Sequence, residues 1–130
     1  MPTTSSFDYA VVRVVPYVER EEFINVGIIL FCREQNFLEA RIKLNRQRLI
    51  ALAPDFDVDQ TQAYLELIPR ICAGQAGPVG QLNQAERFHW LVNPRSTSIQ
   101  VSDVHTGLCT DPAAMLDHLM ETMVLTSGCQ

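Results

Sequence analysis

INVGIILFCREQNFLEARIKL, residues 24–44, is the stretch whose reading decides the fold. Its first run, INVGIILF, is almost wholly apolar. Its last, FLEARIKL, alternates: Leu38, Ala40, Ile42 and Leu44 fall on one side of an extended chain, and Phe37, Glu39, Arg41 and Lys43 on the other. Period two over that length marks a half-buried strand, and an apolar run bounded by turn residues suits a strand covered on both faces. Between them, Arg33-Glu34-Gln35-Asn36 is a polar break in which Asn36 suits a left-handed turn position. The reading is a β-hairpin at the centre of the fold. Asn25 and Gly27 interrupt its first strand. Glycine there marks a bulge or a close backbone approach, and a buried Asn25 needs hydrogen-bond partners.

Upstream, FDYAVVRVV (residues 7–15) is a β-branched run that Pro16 closes, since proline cannot donate to a ladder. Its one charge, Arg13, reads either as an edge residue reaching out of the core or as a group pointing into a cleft. Residues 17–23, YVEREEF, form an acidic connection carrying Glu19, Arg20, Glu21 and Glu22. They read as a solvated loop or as a carboxylate-bearing rim of a site.

Downstream, Asn45 caps a short helix that Pro54 ends, and Asp57 with Gln60 resembles a capping box opening a second helix. Pro69 predicts a kink or an early end to that helix. Residues 74–80, GQAGPVG, read as a linker whose glycines fit no phosphate-binding pattern. A third helix is expected over residues 81–89, with Trp90, Leu91 and Val92 returning the chain to the core. Residues 95–101 alternate as a strand, and residues 102–109 read as a loop or irregular extension. Asp111 and Pro112 open a last helix with Leu116, Leu119, Met120 and Met123 as its buried stripe and His118 on the surface. The expected architecture is α+β: an antiparallel or mixed sheet of three to four strands with helices packed on one face. The 130 residues form a single domain, with residues 1–6 and 126–130 expected to fray.

Composition narrows the function classes. A net charge of −5 argues against bulk phosphate neutralisation, so nucleic-acid binding is not expected beyond a local basic strip. The four cysteines, Cys32, Cys72, Cys109 and Cys129, form no C-x-x-C pair and have no histidine at zinc-ligand spacing. They read as reduced thiols, and no metal or cofactor is expected. No apolar run approaches the roughly 20 residues of a membrane span, and no secretory leader is visible. The expected location is the cytoplasm.

The polar segment at residues 95–106 is the first candidate for chemistry. Arg95 with Ser96 and Thr97 suits an oxyanion, because a guanidinium fork matches two oxygens at once. Histidine is the residue type best suited to acid–base work, and His105 is the one in this segment. The opposing reading has these hydroxyls filling exposed strand and turn positions and His105 bonding a backbone carbonyl. The candidate set is His105 and Glu22 for catalysis, and Arg13, Arg20, Asn25, Arg95, Ser96, Thr97 and Thr106 for ligand contact.

These same residues carry a resemblance. DYAVVRVVP, EREEFINVGIILF, ERFHWLVNPRSTSIQ and VHTGLCTDP resemble a bacterial family of small proteins catalogued as a domain of unknown function. Tyr9, Arg13, Glu22, Phe23, Asn25, Val26 and Gly27 fit its first half. Pro94, Arg95, Ser96, Thr97, Ile99, Gln100, His105, Thr106, Gly107, Leu108, Asp111 and Pro112 fit its second. The resemblance implies a family often encoded beside a HipA-like kinase, and so a protein partner rather than a reaction.

Two main functions follow as expectations. One is a non-catalytic binding or accessory module for a partner protein such as a HipA-like kinase, using Arg13, Arg20, Glu22, Arg95 and His105. The other is a small hydrolase or nucleotide-processing enzyme for an anionic ligand, with His105 as base, Arg95 on the oxyanion and Glu22 assisting. The enzyme reading requires those three groups in one pocket.

Overall fold

The computed structural model describes residues 4–93 and 98–125. Five strands, β1 (Ser5–Val14), β2 (Ile24–Cys32), β3 (Phe37–Ile42), β4 (Ile99–Val101) and β5 (His105–Cys109), make one antiparallel sheet. The expected hairpin is β2 and β3, in register from Gly27 opposite Ile42 to Cys32 opposite Phe37. Its turn closes where Asn36 N–H donates to Arg33 O at 3.1 Å, and Asn36 takes the left-handed conformation with φ 51°. In the sheet order β3-β2-β1-β4, β5 also pairs with β1, so β4 and β5 share one flank of that strand.

Residues 102–109 are therefore not a loop. β5 pairs with residues 5–9 of β1, and β4 pairs with residues 12–14. Between these ladders, residues 102–104 oppose only residues 10 and 11, which inserts one extra residue as a bulge. Ser102 seals it: Val11 N–H donates to Ser102 Oγ at 2.9 Å, and Ser102 N–H donates to Val11 O at 2.9 Å. The exposed, polar alternation of an edge strand hides it from hydropathy, because only Cys109 of β5 is buried. Of the expected strand over 95–101, residues 95–97 lie outside the described residues.

A second bulge lies in β2. Val12 pairs with Gly27 but Arg13 pairs with Asn25, so Val26 is the additional residue. It reverses which face the side chains point to. Ile24 and Val26 share a core with Ile29 and Phe31, whereas Ile28, Leu30 and Cys32 face the other way. Gly27 makes room for this. A Cβ on it would lie 2.5 Å from Ile42 Cδ1 and 2.6 Å from Arg41 O.

Helices cover both faces, not one. On the first face, α1 (Arg46–Leu52), α2 (Val58–Cys72) and α3 (Gln84–Val92) bring Leu49, Leu65, Ile71, Phe88 and Leu91 onto the β1–β2–β3 core. On the second, α4 (Pro112–Met123) sets Leu116, Leu119 and Met120 against Phe7, Val11, Ile28 and Leu30. The strand pattern explains the difference: β2 is apolar on both sides, so each face needs its own cover. Arg41 of β3 also pairs with Asp117 of α4, so the polar side of that strand is partly covered. Met123 is exposed at the end of the α4 stripe.

The helix ends follow their caps. Asn45, Asp57, Asn83 and Asp111 side chains accept from first-turn N–H groups, and Asn83 with Glu86 completes a capping box. That box starts α3 at Gln84, and the helix runs through Trp90 and Leu91 instead of releasing them as a return segment. Pro69 does not end α2, which continues to Cys72. Ile71 and Cys72 are core residues, and Arg87 Nη1 donates to the carbonyls of both, at 3.1 and 2.8 Å. Cys32, Cys72 and Cys109 are buried free thiols; Cys129 lies outside the described residues.

Candidate functional site

Antiparallel pairing places directly opposed residues on the same face of a sheet. Asn25, Arg13 and Gln100 are such a set, aligned across β2, β1 and β4. The β2 bulge turns Asn25 onto the α4 side of the sheet, where Arg13 also points. There Asn25 Nδ2 donates to Met123 O at 3.1 Å, tying the strand to the end of α4. Phe23, just before β2, lies beneath the arginine, with the Arg13 guanidinium 4.4 Å from its ring centroid. That stacking holds a flexible cation in one orientation. Phe23 is 47% exposed, so the pair stands at the surface.

The polar bookkeeping at this row is incomplete. Among the described residues, Arg13 Nε, Glu22 Oε1, Asn25 Oδ1 and Arg87 Nε are buried side-chain atoms without a hydrogen-bond partner. Glu22 Oε1 nonetheless lies 2.7 Å from Arg20 Nε, so its charge is compensated although the N–H is not aligned on it. Arg13 Nε and Asn25 Oδ1 have no such compensation: one is a donor and the other an acceptor, on cross-strand neighbours. A buried polar group left unmatched costs roughly 1–3 kcal/mol.

The remaining candidates separate into groups. Arg20 and Glu22 form their exposed ion pair on the turn before β2, with a 3₁₀ turn at Val18–Arg20 and Glu21 in the left-handed region at φ 54°. Thr106 is consumed by structure: its hydroxyl donates to Asp8 Oδ1 at 2.8 Å across the β1–β5 ladder. His105 is exposed and stacks on Tyr9, with ring centroids 5.3 Å apart. Tyr9 is four residues along β1 from Arg13, or ~13 Å at strand rise, and Glu22 lies beyond the far end of β1. The structure thus gathers Arg13 and Asn25, leaves Arg20 and Glu22 on the neighbouring turn, and holds His105 and Thr106 apart from them. Arg95, Ser96 and Thr97 lie outside the described residues.

Four contributors were absent from the candidate set. Phe23 supplies the ring under Arg13, and its position two residues before Asn25 of the N-V-G triplet was the available signal. Gln100 extends the row, as the alternation of residues 95–101 allowed. Exposed Met123, the last residue of α4, and exposed Leu125 just beyond it flank the Asn25 end of the row; helical spacing suggested burial for Met123. Among the described residues, no three His, Cys, Asp or Glu side chains gather as a metal-binding group, and no helix is long and apolar enough to cross a membrane.

Fold and site together define a small α+β protein whose antiparallel sheet carries an aromatic-supported polar row at one end. The chain belongs to the family described as "Protein of unknown function (DUF3037)", whose model matches residues 9–124. That span starts on β1 at Tyr9 and closes just after α4, so it takes in the whole Asn25–Arg13–Gln100 row. No curated protein and no solved structure matches the chain.

Proposed function

We propose that the protein is a binding module that recognises a partner protein through Arg13, Asn25 and Phe23. One observation carries the reading: a buried donor, Arg13 Nε, and a buried acceptor, Asn25 Oδ1, stand unmatched on adjacent strands of one face. Both atoms are buried in the isolated chain, so a partner carboxamide, which presents the complementary acceptor and donor together, would satisfy them once the Arg13 side chain lifts on binding. Exposed Phe23, Met123 and Leu125 supply apolar contact around that polar centre. An arginine and an aromatic surrounded by apolar area is the usual make-up of an interface hot spot. His105 stands well away from Glu22, which leaves a shared acid–base site without support.

The family resemblance makes a HipA-like kinase the first partner to try. Calorimetric titration of the chain into such a kinase from the same genome should give saturable binding. Arg13→Ala and Phe23→Ala should each weaken it about tenfold or more, as hot-spot truncations do. His105→Ala, remote from the row, should leave it unchanged. Binding indifferent to Arg13 and Phe23, or no binding at all, would remove this reading.

A further inference from the structure

A second feature lies beside the partner surface and shares Asn25 and Leu125 with it. There the chain leaves β3, enters α1 and passes the end of α4, enclosing a cavity of about 310 Å³. Lys43, Arg46 and Arg48 line it, with Asn25 as a shared wall and Leu44 and Leu125 as apolar cover. Three of the ten cationic residues of a chain with net charge −5 thus line one concavity, and no carboxylate is among its lining residues. Arg46 is partly engaged, its Nη2 lying 2.5 Å from Asp59 Oδ1, but Asp59 is 89% exposed and screens it weakly. No carboxylate lies within ion-pair distance of Lys43 or Arg48 among the described residues.

Like charges crowd together at a cost unless something neutralises them. Lys43, just past β3, and Arg46 and Arg48, in the first turn of α1, line one concavity, and that set of cations fits a compact multivalent anion. The volume is at the small end of ligand pockets, so the occupant is a small molecule. The apolar walls leave room for a non-phosphate portion. We infer that this cavity binds the phosphate of a phosphorylated small molecule, a sugar phosphate or a mononucleotide, through Lys43, Arg46 and Arg48.

Lys43 is the only lysine of the chain, which makes it a single-site reporter. The test is acylation of the intact protein with an acetylating reagent, read at Lys43 by peptide mass spectrometry. Adenosine monophosphate, ribose 5-phosphate and adenosine are compared at equal ionic strength. Ribose 5-phosphate and adenosine monophosphate should slow acylation in a saturable way, and adenosine should not. Stronger protection by the nucleotide would identify the base as part of the ligand, and equal protection would identify the sugar phosphate as sufficient. Arg48→Gln should weaken protection about fivefold, the loss of one partly exposed charge contact. Arg33→Gln, at the opposite end of the hairpin, should not. Absence of protection by either phosphate, protection by adenosine, or equal loss in both variants would overturn the assignment. Because the readout needs no partner protein, its failure is separate from failure of the partner-binding reading.

Discussion

At the scale of single residues, the motif positions divide between packing and recognition. Gly27 is a packing requirement, because its missing side chain lets β3 approach the bulged strand. Gly27→Ala should cost about 2–3 kcal/mol in urea unfolding, since the colliding Arg41 O is backbone and cannot step aside like a flexible side chain. Gly107 belongs to the same class: it faces Phe7 across the ladder, and a Cβ there would lie 2.8 Å from the Phe7 ring. The N-V-G and H-T-G-L segments are therefore held in place largely by geometry, which the sequence signalled for Gly27 as a glycine within a strand and did not signal for Gly107. Cys72 shows burial acting on chemistry. Desolvation is the main cause that pushes its thiol from 9.0 up to about 12, against a smaller opposing pull from Arg87. The folded state thus holds its proton while the unfolded chain has released it. The stability this provides is complete below pH 9 and falls as pH climbs toward 12, by up to about 1.4 kcal/mol per pH unit. Urea midpoints measured across that window should decline less steeply in Cys72→Ala than in the parent chain.

At the scale of elements, the central hairpin was legible because its two strands have different periods, continuous and alternating, which few other structures imitate. The caps were legible for the same local reason: Asn45, Asp57 and Asp111 act within three residues of themselves. What local reading could not see was tertiary. α2 passes through Pro69 because Arg87, on another helix, closes its last turn. Arg87→Met should remove both carbonyl contacts and lower stability by about 1–2 kcal/mol in thermal unfolding, with the loss of a buried unmatched Nε offsetting part of the effect. β5 escaped because its partner, residues 5–9, supplies what its own polar alternation lacks. The second helical layer escaped because an apolar α4 stripe does not say which side of the sheet it covers.

At the scale of the whole molecule, the two bulges act together. One, in β2, turns Asn25 toward α4; the other, between β4 and β5, lets a single flank of β1 take two strands. Their joint result is a row of side chains drawn from residues 13, 25 and 100, brought together only by the fold. The candidate site was legible in residue type, as Arg13 and Asn25 were both singled out, but its membership was not, since only strand register separates His105 from them. The central claim is that Arg13 is retained for a partner and not for the stability of the isolated chain. Urea unfolding of Arg13→Met measures this without any partner. Methionine keeps the apolar stem and removes the unmatched buried Nε, a gain of roughly 1–3 kcal/mol set against roughly 1 kcal/mol of lost stacking on Phe23. The account predicts stability equal to or above that of the parent chain; a loss of more than about 1.5 kcal/mol would show that Arg13 holds the fold together and contradict it.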